Sequence, residues 1–369
     1  MPSSDVPSAP EAFAAKRNGG LYFVSGPVDA FFVGGASLLL FAVLWLFHGG
    51  ERTDTVISTA AALMWVVNWP HFSATSYRLY QGTTGVRSYP LTAFAVPVAV
   101  LGLTSMALVS PKILAPAFVH LFMLWSPYHF SGQTVGVSLL YARRAGLPIG
   151  TWERRALVTF VYGTFVMQTI RAEGAGQKAN FWGVAYDTLG VPEWAVTGVT
   201  VLLVLSGIAL AVLLTLYARK EKRKIPPIVL LPAVSQYVWF VAGPSRQSFA
   251  EFVPFFHSLQ YLLIAWAMQM AETARGERLT RSRLFGETLG WWVKNVAGGI
   301  ALFWATPRLA ADAAGVALPF ATGVLFAAVQ IHHFFVDGVI WKLKNPGVSS
   351  PLMTTLGNLL GPRAAEPAE

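Results

Sequence analysis

Cysteine is absent from all 369 residues, which excludes disulfides, thiolate metal sites and iron–sulfur clusters. Any bound metal must therefore be held by nitrogen and oxygen. Charge is scarce too: Asp, Glu, Lys and Arg make up 12% of the chain, against 54% hydrophobic residues and a mean hydropathy of +0.51. Soluble domains carry about twice that charged fraction, so the composition is that of a polytopic membrane protein with short connections. No strand-flanked glycine motif, nucleophile elbow or carboxylate dyad occurs, and serine-triad hydrolysis has no support. Internal repeats and low-complexity runs are not visible. Residues 1–27 lack the apolar core of a signal peptide and read as a polar tail.

Ten apolar stretches follow: Val28 to Phe47, Thr55 to Tyr80, Pro90 to Val109, Leu114 to Tyr141, Ala156 to Ile170, Trp194 to Tyr217, Pro226 to Ala242, Phe252 to Met270, Leu289 to Ala305 and Leu318 to Trp341. They predict an all-α membrane domain over 28–344, about ten transmembrane helices, with a C-terminal tail at 345–369. With the N-terminus in the cytoplasm, the inner segments hold 21 of the 27 Lys and Arg residues. The outer segments hold only Arg52, Lys112, Arg171, Lys178, Arg246 and Arg308, so both termini are expected to be cytoplasmic. The expected location is a bacterial inner membrane. The net charge of +9 is then explained by basic clusters meeting anionic lipid, and no nucleic-acid partner is expected. The longest outer connection, Arg171 to Glu193, is expected to lie in the interface.

Histidine is where chemistry is expected. His71 follows Pro70, His129 lies two residues after Pro127, and His257 lies three after Pro254, while His332 and His333 form a pair followed by Asp337. Imidazoles are costly in a bilayer, and prolines break helix hydrogen bonds, so meeting both on several spans suggests a built site. All five histidines fall on even-numbered spans, which run in parallel from outside to inside. Counted from the inner ends of those spans they lie 9, 12, 13, 9 and 8 residues deep, roughly 12 to 20 Å, so one layer near mid-membrane could contain them all. His48 and His120 read as interfacial.

Each of these histidines has a polar residue about one turn away: Asn68 by His71, Gln133 by His129, Gln260 and Tyr261 by His257, and Asp337 by His333. Such neighbours could orient a ligating imidazole or bind metal themselves, and helical spacing allows partners to cross between spans. Near the inner boundary, Asp337 could instead snorkel to the interface. Kinks at Pro70 and Pro127 would open a cavity, whereas Pro254 is harmless if it lies in the first turn of its helix. Gly34-Gly35 and Gly298-Gly299 read as helix-packing residues. Aromatic residues around the histidines suit a chamber for a lipidic substrate entering sideways from the membrane.

A nitrogen-rich site with a carboxylate suits iron, zinc or copper. With iron, the expected chemistry is oxygen activation on a lipid or isoprenoid chain, with an electron donor as a possible partner. The histidine pattern resembles that of membrane non-haem iron oxygenases. The HxxxH and HxxHH boxes of desaturases and alkane hydroxylases are absent, and one histidine per helix is more similar to the Brp/Blh-type carotene-cleaving dioxygenases. That resemblance implies a single iron with His71, His129, His257 and one of His332 or His333 as ligands. The other member of the pair, with Asp337, Asn68, Gln133 and Gln260, would support them. Asp337 and Tyr261 are the candidate catalytic residues. Two rival classes remain open: a haem-binding electron-transfer protein, with haem on two of these histidines, and a proton-coupled transporter.

Overall fold

The structure, a computed structural model, describes residues 20–47, 54–174, 176, 178–274 and 276–360, with the side chains of 247 and 248 left out. His48, Arg52, most of the expected N-terminal tail and the last nine residues lie outside this set. Ten long helices occur among the described residues, and the ten apolar stretches fall on them in order. They are α1 (Gly26–Phe47), α2 (54–80), α3 (Leu91–Val109), α4 (Leu114–Arg144), α5 (Thr151–Ala172), α6 (Glu193–Lys220), α7 (Pro227–Ser245), α8 (Val253–Ala274), α9 (281–314) and α10 (Leu318–Ile340). Five of them, α1, α3, α6, α7 and α10, are long and apolar enough to cross a membrane. With large apolar side chains such as Leu46, Phe47, Leu91 and Val109 facing outward, the chain is an all-α membrane protein.

Proline accounts for much of the local geometry. Met64–Asn68, Leu91–Ala95, Val238–Ala242 and Ala301–Ala305 are π turns, and two residues after each comes Pro70, Pro97, Pro244 or Pro307. A proline has no N–H to donate, and its ring crowds the preceding turn; one extra residue per turn absorbs both problems and lets the helix continue. The fifth π turn, Phe31–Gly35, ends on the pair Gly34-Gly35. Pro254 is the second residue of α8, in its first turn, so it introduces no kink.

Four helices form the centre. In cyclic order α2 touches α8, α8 touches α4, α4 touches α10, and α10 touches α2. Their C-terminal ends meet on one side of the bundle. Arg78 at the end of α2 pairs with Glu272 of α8 at 3.1 Å and lies 5.1 Å from the Trp341 ring that ends α10. The four helices therefore run in parallel. At the same end, Arg144 of α4 donates to the carbonyls of Gly20, Leu21, Tyr22, Leu352 and Thr354, and Leu356 N–H donates to Phe23 O at 2.7 Å. One guanidinium thus fastens the two ends of the described chain together. Asp29, fully buried, accepts from Phe23 and Val24 N–H and from Tyr141 OH at 2.6, 2.9 and 2.8 Å.

The expected packing glycines are at close approaches. A Cβ on Gly298 or Gly299 would collide with Ser73 or Trp69 of α2, and one on Gly34 with Ser235 of α7. The connection between α5 and α6 corrects the purely helical expectation. It contains a two-stranded antiparallel hairpin, β1 (Lys178–Phe181) and β2 (Val184–Asp187). Trp182 and Gly183 turn it with φ of 50° and 82°, the paired positive values of a two-residue type I′ turn. The hairpin seats on α10, where Gly323 lets the Phe181 carbonyl approach.

Candidate metal centre

The central helices each send one imidazole inward. On α2 the π turn re-phases the helix before Pro70, so Asn68, His71 and Thr75 share a buried face. On α8, His257, Ser258 and Tyr261 are buried together. α4 contributes His129, and α10 contributes His333 with Asp337 one turn later, their side chains 10%, 2% and 8% exposed.

His71, His257 and His333 can each place a ring nitrogen within 4.8 Å of the others, and so can His129, His333 and Asp337 as nitrogen and oxygen donors. His333 belongs to both groups. The ring centroids lie 4.4 Å apart for His71 and His333, 5.0 Å for His71 and His257, 4.8 Å for His129 and His333, and 5.3 Å for His129 and His257. His333 Nε2 is 3.1 Å from His129 Nε2 and 3.2 Å from Asp337 Oδ2, with His129 Nε2 3.6 Å from the same oxygen. Two imidazole nitrogens so close repel through their lone pairs unless a proton or a cation lies between them.

Four buried nitrogens have no hydrogen-bond partner: His71 Nε2, both nitrogens of His257, and His333 Nδ1. Leaving such a group unsatisfied costs about 1–3 kcal/mol each, and native interiors rarely tolerate several in one place. The donor set fits a metal. Two ligands bound at about 2.1 Å to one ion stand about 3.0 to 3.4 Å apart, which brackets the His129 to His333 separation.

The groups behind the imidazoles come mostly from other helices. Ser258 Oγ lies 3.2 Å from His71 Nδ1 and donates to Pro254 O at 2.8 Å, while Asn68 Nδ2 donates to Ser258 Oγ at 2.9 Å and to Pro254 O at 3.2 Å. Gln133 Nε2 donates to the His257 carbonyl at 2.9 Å and to Gln260 Oε1 at 3.3 Å, and Gln260 Nε2 in turn donates to Val33 O. Asp337 Oδ1 accepts from Trp341 Nε1 at 3.1 Å and lies 3.2 Å from Thr75 Oγ1, which donates to Tyr261 OH at 2.5 Å. Phe130 stacks on His257 at 3.9 Å and Phe334 on His129 at 4.5 Å.

Of the predicted residues, His71, His129, His257, His333 and Asp337 come together, with Tyr261 4.4 Å from His71 between ring centroids. His332 belongs to neither donor group and is only half-buried. Asp337 faces inward instead of snorkelling. Asn68, Gln133 and Gln260 hold backbone and side chains across the bundle; none of them bonds to an imidazole nitrogen. Ser258 and Thr75 escaped the sequence reading, although Ser258 follows His257 and Thr75 stands one turn after His71. His120, expected at the interface, has partners within the fold. Its Nε2 lies 2.9 Å from Glu173 Oε1, and its ring stacks at 4.8 Å on Tyr186, whose phenol is pushed up by burial with Glu173 beside it. Comparison with protein-family models, with curated proteins and with solved structures gives no match.

Proposed function

We propose that this protein is a membrane-embedded metalloenzyme, a non-haem iron oxygenase or desaturase of a lipid or isoprenoid chain. His71, His129, His257 and His333 would supply the nitrogen ligands. The observation that carries this reading is the set of partnerless, buried imidazole nitrogens of His71, His257 and His333, from three helices, with His129 and Asp337 completing a second donor group around His333. Iron held by such nitrogen and carboxylate donors supplies oxygen activation, the chemistry that an unactivated hydrocarbon chain requires.

The surrounding residues have definable work. Ser258, held by Asn68, orients the His71 ring and selects its tautomer. Thr75 and Trp341 fix Asp337 through Oδ1 and leave Oδ2 toward His129 and His333, where it can hold a proton. Phe130 and Phe334 cover the rings and keep water away. One histidine from each of four spans is also the arrangement that resembles the Brp/Blh-type oxygenases. Each of the four rings lies 4.4 to 5.3 Å from two of the others, too close for a porphyrin to sit between them, which favours a non-haem centre over the electron-transfer alternative. Ten spans with cytoplasmic termini, in a bacterial inner membrane, complete the proposal; the joining of residues 20–23 to residues 352–356 at the basic side of the bundle supports it.

Elemental analysis of detergent-purified protein, paired with an optical spectrum, tests this reading. Near-stoichiometric iron without a haem Soret band is the expected result, and His71→Ala is expected to abolish it. Metal-free protein, or a Soret band, would overturn the proposal.

A further inference from the structure

A cavity of about 580 Å³ lies between α4 and α10 and reaches His129 and Asp337. On α4 its wall runs from Trp125 to Leu140, sixteen residues spanning about 22 Å of helix. The cavity is therefore an elongated slot, walled by apolar and aromatic side chains such as Trp125, Ile264, Phe334 and Leu352. Three glycines clear this path: a Cβ on Gly136 or Gly338 would meet nothing within 4 Å, and one on Gly132 only the Tyr162 hydroxyl at 3.6 Å. These glycines are not there to let helices touch, unlike Gly34, Gly298 and Gly299. Tyr128 and Phe335, 48% and 41% exposed, flank the side facing the surrounding lipid.

The two ends of the cavity differ in charge. Asp337, with its carboxylate turned to the histidines, is the only acid among the described residues that line it. At the other end Lys342 lines the wall, exposed and without a carboxylate partner among the described residues, and Arg143 donates to the neighbouring Leu343 carbonyl at 3.2 Å. An ammonium at the membrane boundary, at the foot of an elongated apolar slot, is complementary to an amphiphile with a negative head.

We infer that this cavity binds a linear hydrocarbon chain with an anionic head, carboxylate or phosphate, placed with the head at Lys342 and the chain running up past Gly136 to His129. The inference rests on the proposed enzymatic reading only for what happens to the chain, and it specifies where that would be. Lys342, just past the end of α10, follows His333 by nine residues, and His129 stands eleven residues above Leu140 on α4, about 14 to 16 Å of helix, so the carbon presented to the histidines lies within the chain and not at the head.

Binding to metal-depleted protein separates this inference from the metal centre. Protein stripped with EDTA in a maltoside detergent is titrated with cis-parinaric acid, a linear fluorescent fatty acid, and then with competitors. Saturable binding is expected, with displacement by palmitate or by farnesyl phosphate, whichever head the site prefers, weaker displacement by hexadecanol, and none by cholesterol. Gly136→Leu and Gly338→Leu, which fill open space and leave the melting temperature unchanged, are expected to weaken binding at least tenfold. Lys342→Glu is expected to weaken both anionic chains about tenfold and to leave hexadecanol unaffected. Unaltered binding in both leucine variants, an unaltered anion preference in Lys342→Glu, or displacement by cholesterol equal to that by palmitate would overturn the inference. A metal-free purified protein would leave it standing.

Discussion

Two histidine environments in the same chain bear directly on what the central cluster is for. At one end of the bundle His120 meets Glu173, stacks on Tyr186, and Glu173 in turn accepts from Leu189 N–H at 2.8 Å. Every strong group there has its partner, and the network ties the hairpin connection to α4. In the central cluster the same residue type is more deeply enclosed, yet His71 Nε2, both nitrogens of His257 and His333 Nδ1 are left bare. A satisfied imidazole holds the fold together; several bare ones sharing one dry volume are arranged for something the chain itself does not supply.

Substitutions can sharpen or break that contrast. The largest effect is expected from the adjacent pair on α10: His333→Ala should lower metal affinity by about a hundredfold or more, and His332→Ala should leave it unchanged, measured by competition with a chromophoric chelator. Equal losses in both would mean that the pair acts by packing alone. Next comes Asp337→Asn, which keeps the shape and the hydrogen bonds to Thr75 and Trp341 but removes the negative charge; affinity should fall about 10- to 100-fold. Ser258→Ala, which frees the His71 ring, should cost about tenfold in the same titration. Smallest for the metal is His120→Ala, expected to change its content not at all while lowering unfolding stability in detergent by about 1–3 kcal/mol, because Glu173 loses its partner in a buried site. Metal loss in His120→Ala matching that in His333→Ala would erase the distinction between the two environments.

Much of this was legible along the chain, and the misses share a cause. Hydropathy located the long helices, five of them apolar enough to cross a membrane, because apolar runs are a property of consecutive residues. Depth counting put the histidines in one layer because helical rise is constant. The rotation of each helix about its axis is not contained in such counts. His332 and His333 are neighbours in sequence, but successive helical residues point about 100° apart, so only one can face the bundle centre. Pro254 stands apart from Pro70 and Pro127 in sequence as a first-turn candidate, and α8 does begin one residue before it, which spares the helix a kink. Thr75 was overlooked because a threonine in an apolar helix ordinarily bonds its own backbone, and its contacts with Tyr261 and Asp337 span 186 and 262 residues.

From sequence alone came the membrane class, the helical architecture, the nitrogen and oxygen character of any metal site, and the small set of histidines able to build it. These depend on composition, periodicity and the absence of thiols. Tertiary structure alone decided which imidazoles converge, that Asp337 turns inward, that the amide side chains serve other helices, and that three glycines line open space instead of a helix contact. Those outcomes depend on how parallel rods settle against one another, and that packing is a balance of contacts summed over the whole bundle and not written in any one segment.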